Sequence, residues 1–318
     1  MLNFYVRILG SSSALPTSQR MPTSQVVFYN NTPYLIDCAE GTQAQLRRFN
    51  VPMLKINHIF ISHTHGDHIY GIFGLLSSYN LMGRKSDLNI YAPTELESIY
   101  STVLNLNNDE LKYKVKFFPL NPKGKVLILQ NKHLSVYSFP LIHSKPVWGF
   151  IFEEKQKDKN IIKEKIEEFN LSISDIVKIK KGEDFVKADG EIISNNLLTI
   201  EPPKPRKYVF CTDTLPVKSI KKYIENPDLL YHEATFANEH KDIAKQTMHS
   251  TAEQAADIAK LLYAKKLVIG HFSSRYKKLD GLLREAIKVF PNTVLAYDGN
   301  KINVGEDDIK DDKNDLEE

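Results

Sequence analysis

Cysteine is nearly absent: Cys38 and Cys211 stand alone in 318 residues, too few for the disulfide framework of a small secreted domain. Both thiols are expected in core strands. Long apolar runs are missing too, and nothing approaches the ~18–20 apolar residues of a membrane span. No membrane partner is therefore expected. Excess charge of one sign is also lacking, since 42 basic and 39 acidic residues leave a net of +3. That balance gives no electrostatic ground for or against a nucleic-acid partner. The first residues, Met1 to Leu9, lack the basic, apolar and small-residue regions of a signal peptide and read as the first strand of a cytoplasmic protein. No short-period repeat is present, which excludes a solenoid.

What is present suits a folded core: 42% hydrophobic and 10% aromatic residues, in a length that fits one large domain or two smaller ones. Short β-branched and aromatic runs predict strands at Phe4 to Leu9, Gln25 to Tyr29, Pro33 to Asp37, His58 to Ser62, Asn89 to Ala92, Lys114 to Pro119, Val126 to Leu129 and Leu134 to Phe139. Helical patterns interrupt them at Gly41 to Phe49, Gly71 to Leu81 and Pro93 to Leu104. The later half predicts strands near Lys207 to Thr212, Asp228 to His232, Lys266 to Gly270 and Thr293 to Tyr297. Its helices are expected near Val217 to Ile224, Thr251 to Tyr263 and Asp280 to Phe290, with Ser250 and Glu253 as a capping box. Two strand-rich halves with helices outside predict an α/β fold, an αββα four-layer sandwich. Between the halves, Glu153 to Pro205 is charged and proline-punctuated, as expected of an inserted arm, with helical charge spacing over Gln156 to Phe169. Residues 1–305 then form a single domain carrying this arm, about 153–205. The tail 306–318 holds eight acids against two lysines and reads as a solvated, disordered end.

The chemistry concentrates where the strand Ile59-Phe60-Ile61 runs into Ser62-His63-Thr64-His65-Gly66-Asp67-His68. Four potential metal ligands fall within six positions, and burying them together without a cation would be costly. Alternate residues of an extended chain share a side, so His63 and His65 can address one cation. Gly66 is expected to let the backbone turn tightly, aiming Asp67 and His68 at a second. Two metals need further ligands, and His143, Asp213 and His271 each sit where a predicted strand meets a loop. With them the set reaches seven, Asp213 serving as the bridge. The same nitrogen and oxygen donors suit zinc and also accept manganese or cobalt.

The segment His63 to His68 resembles the signature of the metallo-β-lactamase superfamily, whose fold is the sandwich inferred above. More narrowly, the chain is similar to the ribonuclease Z family, short form, over most of residues 1–300. The resemblance runs through Asp37-Cys38-Ala39-Glu40-Gly41-Thr42-Gln43, Gly71 to Leu76, His143-Ser144 with Trp148-Gly149-Phe150, and Cys211-Thr212-Asp213-Thr214. It ends with His232-Glu233-Ala234-Thr235, His249-Ser250-Thr251 and Gly270-His271-Phe272-Ser273-Ser274-Arg275-Tyr276. It implies that His63, His65 and His143 hold one zinc, that Asp67, His68 and His271 hold the other, and that Asp213 bridges. It further implies that Asp67, Glu233 and His249 are catalytic, Glu233 orienting His249 as proton donor. The implied activity is removal of 3′ trailers from precursor tRNA after the discriminator nucleotide, by attack of a metal-bridged hydroxide that leaves a 3′-hydroxyl.

Two departures bear on substrate. The family's Pro-x-Lys-x-Arg-Asn loop survives only as Pro16 and Arg20, of which Arg20 can still pair with phosphate. The arm lacks the glycine-proline motif of many bacterial members, leaving Lys178, Lys180 and Lys181 as the expected RNA contacts. The resemblance also implies a homodimer. Two alternatives stay open at this level: a phosphodiesterase or 3′ exoribonuclease with other substrates, and a catalytically silent RNA-binding protein.

Overall fold

Alternation along single strands builds the layers. A computed structural model describes residues 2–107 and 111–305; the acidic segment 306–318 lies outside them. Among the described residues, one seven-stranded sheet has the order β18-β1-β2-β3-β4-β5-β6. Its strands are β1 (Phe4–Gly10), β2 (Ser24–Tyr29), β3 (Thr32–Ile36), β4 (His58–Phe60), β5 (Leu88–Ala92), β6 (Val115–Pro119) and β18 (Lys301–Asn303). The other has the order β17-β16-β15-β14-β9-β8-β7. It is made of β7 (Val126–Gln130), β8 (Leu134–Pro140), β9 (Trp148–Glu154), β14 (Lys207–Cys211), β15 (Leu229–Glu233), β16 (Lys266–Gly270) and β17 (Thr293–Leu295).

On β4, Ile59 joins the cluster under α1 (Thr42–Arg48) and α3 (Ile72–Leu81). Its neighbour Phe60 points the other way, into Phe150 and Phe152 of β9, at 5.5 and 5.4 Å between ring centroids. Period-two alternation thus sends one residue to the helices and the next to the facing sheet. The second sheet repeats the device. Val209 and Cys211 of β14 pack with the alanine face of α9 (Ala252–Leu261) and with α10 (Asp280–Val289). Tyr208 and Phe210 face inward, and the Tyr208 hydroxyl donates to Gln25 of β2. Fully burying one such aromatic ring contributes about 1.5–3 kcal/mol, so this aromatic seam holds the two sheets face to face. The four layers predicted from sequence are those observed.

Strands β3 to β6 run parallel, as do β14 to β17. Parallel strands put their carboxyl ends on one edge, where ligands of open α/β sheets gather. Backbone bonds stitch that edge across the sandwich: the Trp148 N–H donates to Ser62 O and the Phe272 N–H to Ser11 O.

The chain divides into two compact units. The first holds residues 1–129, 136–152 and 207 onwards, and the second Gln130–Ser135 and Glu153–Arg206. The second has its own small core of Leu171, Ile179, Ile193 and Leu198. Around that core lie β10 (Asn160–Ile161) paired with β13 (Thr199–Ile200), β11 (Phe185–Val186) paired with β12 (Ile192–Ile193), and α5 (Lys163–Glu168), α6 (Ile173–Lys180) and α7 (Asn195–Leu198). Where the segment leaves and returns, the buried Arg206 guanidinium clasps Glu154 with two bonds of 2.9 and 3.0 Å.

Several expectations need correction. Strand β9 is missing from the expected strands, although Val147 to Phe152 is the continuous apolar run of a strand buried on both faces. Gln156 to Phe169 is a short strand followed by α5, not one helix. The Val217 to Ile224 helix is a 3-10 segment, Lys218–Lys222. The capping box of α9 is Thr251 with Gln254, each side chain meeting the other's backbone N–H, one residue beyond Ser250 and Glu253.

Candidate metal centre

His63 to His68 leaves β4 extended and then closes into the single turn α2 (Gly66–Ile69), with His65 as its extended first cap. The backbone turns at Gly66 as expected, with ordinary helical geometry. The lack of a side chain there matters for space: a Cβ would fall 2.2 Å from the ring of Tyr70. Asp213 follows β14, His271 follows β16, and His143 lies beyond β8.

These seven side chains converge. His65 Nδ1 lies 2.9 Å from His63 Nε2 and 3.3 Å from His143 Nε2. Asp213 Oδ2 completes the group at 3.6 Å from His63 Nε2 and 3.7 Å from His143 Nε2. On the other side, Asp67 Oδ2 lies 3.5 Å from His68 Nε2 and 3.7 Å from His271 Nε2. The second oxygen of Asp213, Oδ1, is 3.5 Å from His68 Nε2 and 3.1 Å from His271 Nε2. One carboxylate therefore presents an oxygen to each triad.

Bonds of about 2.0–2.2 Å around a tetrahedral divalent cation give ligand edges of about 3.3–3.6 Å, and the spacings above scatter around that value. A second observation agrees. His68 Nε2 and His271 Nε2 are buried and make no hydrogen bond, an arrangement that costs free energy unless a cation takes the lone pairs. The surrounding bonds choose the nitrogen each histidine offers. His68 Nδ1 donates to Asp37 Oδ2 at 2.7 Å, and His143 Nδ1 to the Met248 carbonyl at 3.1 Å. His271 Nδ1 donates to Thr235 Oγ1 at 2.9 Å, since that hydroxyl is itself spent on Glu233 Oε2. His63 Nδ1 meets Ser62 Oγ at 3.0 Å, whose proton goes to Asp37. All four Nε2 atoms are thereby freed for a cation.

Electrostatics point the same way. Burial, then the charge of neighbouring imidazoles, holds His63 well below the usual histidine range, so it is neutral and able to ligate. Burial likewise lowers His65 and His143. Burial opposes charge on His68, but Asp213, Asp37 and Asp67 together push it well above the ordinary value. Three carboxylates around one buried ring make a site that favours positive charge. The fold and this donor set indicate a divalent metal.

Beside the triads stands a pair. Glu233, at the end of β15, is fully buried and its two oxygens accept five hydrogen bonds. Oε1 takes the N–H groups of Thr214 and Ser250 and, at 3.0 Å, His249 Nδ1. Oε2 takes the N–H and hydroxyl of Thr235. Burial disfavours charge on His249, yet the Glu233 carboxylate raises its pKa to about 9. The His249 ring lies 5.0 Å from that of His143 and 5.4 Å from that of His271. It can reach a ligand held between them.

The chain covers 96% of its length in common with "Ribonuclease Z" of Parabacteroides distasonis, 44% identical and matched over 100% of that protein. The chain belongs to the ribonuclease Z family. A second family member, "Ribonuclease Z" of Bacteroides thetaiotaomicron, is 45% identical over 93% of this chain and 94% of its own. A family profile described as "Anti-Pycsar protein Apyc1" also matches residues 4–286. Among solved structures, human tRNase Z, short form, superposes with a TM-score of 0.68 at 26% identity, over 94% of this chain and 99% of that one.

Against other ribonuclease Z expectations the structure is uneven. Arg20 is only 7% exposed and its Nη2 donates to the Tyr276 carbonyl at 2.8 Å, which anchors its loop. Lys178 and Lys181 are exposed and Lys180 half-buried, all in the second unit. The residues that sequence reasoning missed are those that orient ligands: Asp37, Ser62, Thr235 and Met248. Asp37, Ser62 and Thr235 each lay within a stretch singled out from the sequence, Asp37 to Gln43, Ser62 to His68 and His232 to Thr235, whereas Met248 had no signal. Asp37, Met248 and His271 all have left-handed backbone, at φ 55°, 57° and 59°, a strained state for residues with side chains that is common at functional sites.

Proposed function

We propose that this chain is a two-zinc endoribonuclease of the ribonuclease Z type, removing 3′ trailers from precursor tRNA after the discriminator nucleotide and working in the cytoplasm. The seven ligands are His63, His65, His143, Asp67, His68, His271 and bridging Asp213; manganese or cobalt could occupy the same donors. Bound there, a pair of divalent cations supplies Lewis acidity to a phosphodiester oxygen and acidifies a water molecule.

The chain's own residues handle the leaving group. Hydrolysis forms a bond from water oxygen to phosphorus and breaks the bond from phosphorus to the ribose 3′-oxygen, which must gain a proton. His249, protonated and aimed by Glu233, donates it, leaving a 3′-hydroxyl on the tRNA and a 5′-phosphate on the trailer. A positioned acid of this kind contributes about 10²–10⁴ in rate. The observation that carries the reading is the Glu233–His249 pair set against both triads in a chain 44% identical to a named ribonuclease Z. Residues 153–205, with Lys178, Lys180 and Lys181, are proposed as a tRNA-contacting arm on the catalytic domain, and the working form as a homodimer. Incubation of zinc-loaded protein with a 3′-extended precursor should give one discrete cut, abolished by His65→Ala. An intact precursor would reject the reading.

A second reading, a phosphodiesterase for smaller substrates, draws on the burial of Arg20, the loop residue nominated from sequence to pair with phosphate. Rapid hydrolysis of bis(p-nitrophenyl) phosphate with no tRNA cut would favour it.

A further inference from the structure

Tyr70, the residue that ends α2, leaves 68% of its surface exposed. It is nevertheless seated. The position a Gly66 Cβ would take lies 2.2 Å from Tyr70 Cε2, 2.4 Å from Cζ and 2.8 Å from the hydroxyl oxygen. The ring thus rests on the bare Gly66 α-carbon and offers its remaining surface to solvent. A ring held this way loses little conformational freedom when something packs on it.

Its location gives the exposure a meaning. Gly66 stands between His65, which serves one triad, and Asp67, which serves the other. The ring resting on it therefore adjoins the turn that carries ligands of both groups. A phosphodiester reacting there carries a nucleoside on each side, and a base lies one sugar away from its phosphate. An exposed aromatic face accepts any base, because every base has a π-face, and stacking tolerates a trailer of varied sequence where hydrogen-bond readout would not. The two sides of the cut are distinguishable. The ribose 3′-oxygen must face His249, which is surrounded by Phe236, His143 and His271, so the discriminator nucleotide belongs on that side. Tyr70 ends the turn that carries Asp67 and His68, and among the described residues its ring touches none of Phe236, His143, His249 and His271.

We propose that Tyr70 is the stacking platform for the base of the first trailer nucleotide, fixing the strand 3′ of the scissile phosphate. The inference rests on the tRNA-processing reading and deepens it.

The test compares zinc-loaded wild type, Tyr70→Ala, Tyr70→Phe and Tyr70→Trp on two 3′-extended precursors, one ordinary and one abasic at the first trailer nucleotide, with a third, abasic at the discriminator nucleotide, as control. Stacking is worth about 1–3 kcal/mol per base, a factor of about 5–150 in kcat/KM. Wild type should lose that factor on the abasic precursor. Tyr70→Ala should lose it on the ordinary one and lose nothing further on the abasic one, while Phe and Trp retain activity. Zinc content and the melting curve confirm that the Ala variant is folded; if it is not, the abasic comparison in wild type and the Trp variant still decides. Wild type that cuts both precursors equally well overturns the platform and leaves the tRNA reading intact. Losses that multiply, or a coupling of Tyr70 to an abasic discriminator instead, also overturn it. Wild type that leaves the ordinary precursor uncut removes the tRNA reading itself.

Discussion

Asp37 Oδ2 accepts a 2.7 Å hydrogen bond from His68 Nδ1, with both side chains fully buried. The same carboxylate takes the N–H and hydroxyl of Ser62 at 2.7 and 2.9 Å. Asp37 therefore fixes which His68 nitrogen faces the centre and also steadies the segment leading into His63.

Asp37→Ala should cost about 10–100-fold in metal affinity, the usual penalty for removing a partner that orients a ligand histidine. Competition with a chromogenic chelator measures it. Unchanged affinity in a folded variant would show that His68 needs no such support.

Asp213→Ala removes one oxygen from each triad at once. Elemental analysis should fall from two metals per chain to under one, whereas His65→Ala, which touches one triad, should leave about one. Equal stoichiometry in the two variants would contradict a bridging role. EDTA should lower the melting temperature of wild type, because cations that bind only the folded chain stabilise it, and should do so much less in Asp213→Ala.

Glu233→Gln keeps the size of a side chain that accepts five hydrogen bonds but removes its charge, and His249→Ala removes the proposed proton donor. Each should lower kcat on precursor tRNA by about 10²–10⁴ with metal content unchanged. The double variant should be hardly worse than either single one, as follows for a pair proposed to act as a unit. Additive losses would separate the two residues.

His58 lies between Tyr34 and Tyr91, at 5.7 and 6.0 Å between ring centroids. Burial, then the charge of Arg84, lowers its pKa from 6.5 to about 4. The unfolded imidazole takes up its proton near pH 6.5 and the folded one only near pH 4, so the unfolded state binds more protons in that window. Stability should fall as pH drops through it. Urea melts at pH 7 and pH 4.5 should show a smaller loss for His58→Phe than for wild type. Equal losses would mean that His58 contributes nothing to the acid sensitivity.

Alternation and local clustering made part of this protein legible in one dimension. The strand runs gave the two sheets because period-two patterning needs only neighbours in sequence, and the His63 to His68 ligands declared themselves because six residues cannot easily hide their chemistry. His143, Asp213 and His271 could be nominated as strand-end ligands. Their convergence, and the division of Asp213 between two triads, depends on strand order across two sheets, which no local pattern encodes. The same holds at smaller scale. Ser250 had the residue type to cap α9, but its hydroxyl is taken by the Thr214 carbonyl and its N–H by Glu233, so the cap passes to Thr251. Arg20 was nominated for phosphate from its residue type, and packing commits one of its guanidinium N–H groups to the Tyr276 carbonyl. Residue type is a local property and sets which interactions a side chain can make; the tertiary fold decides which of them it does make, because each donor and acceptor is spent on the partner that folding brings nearest.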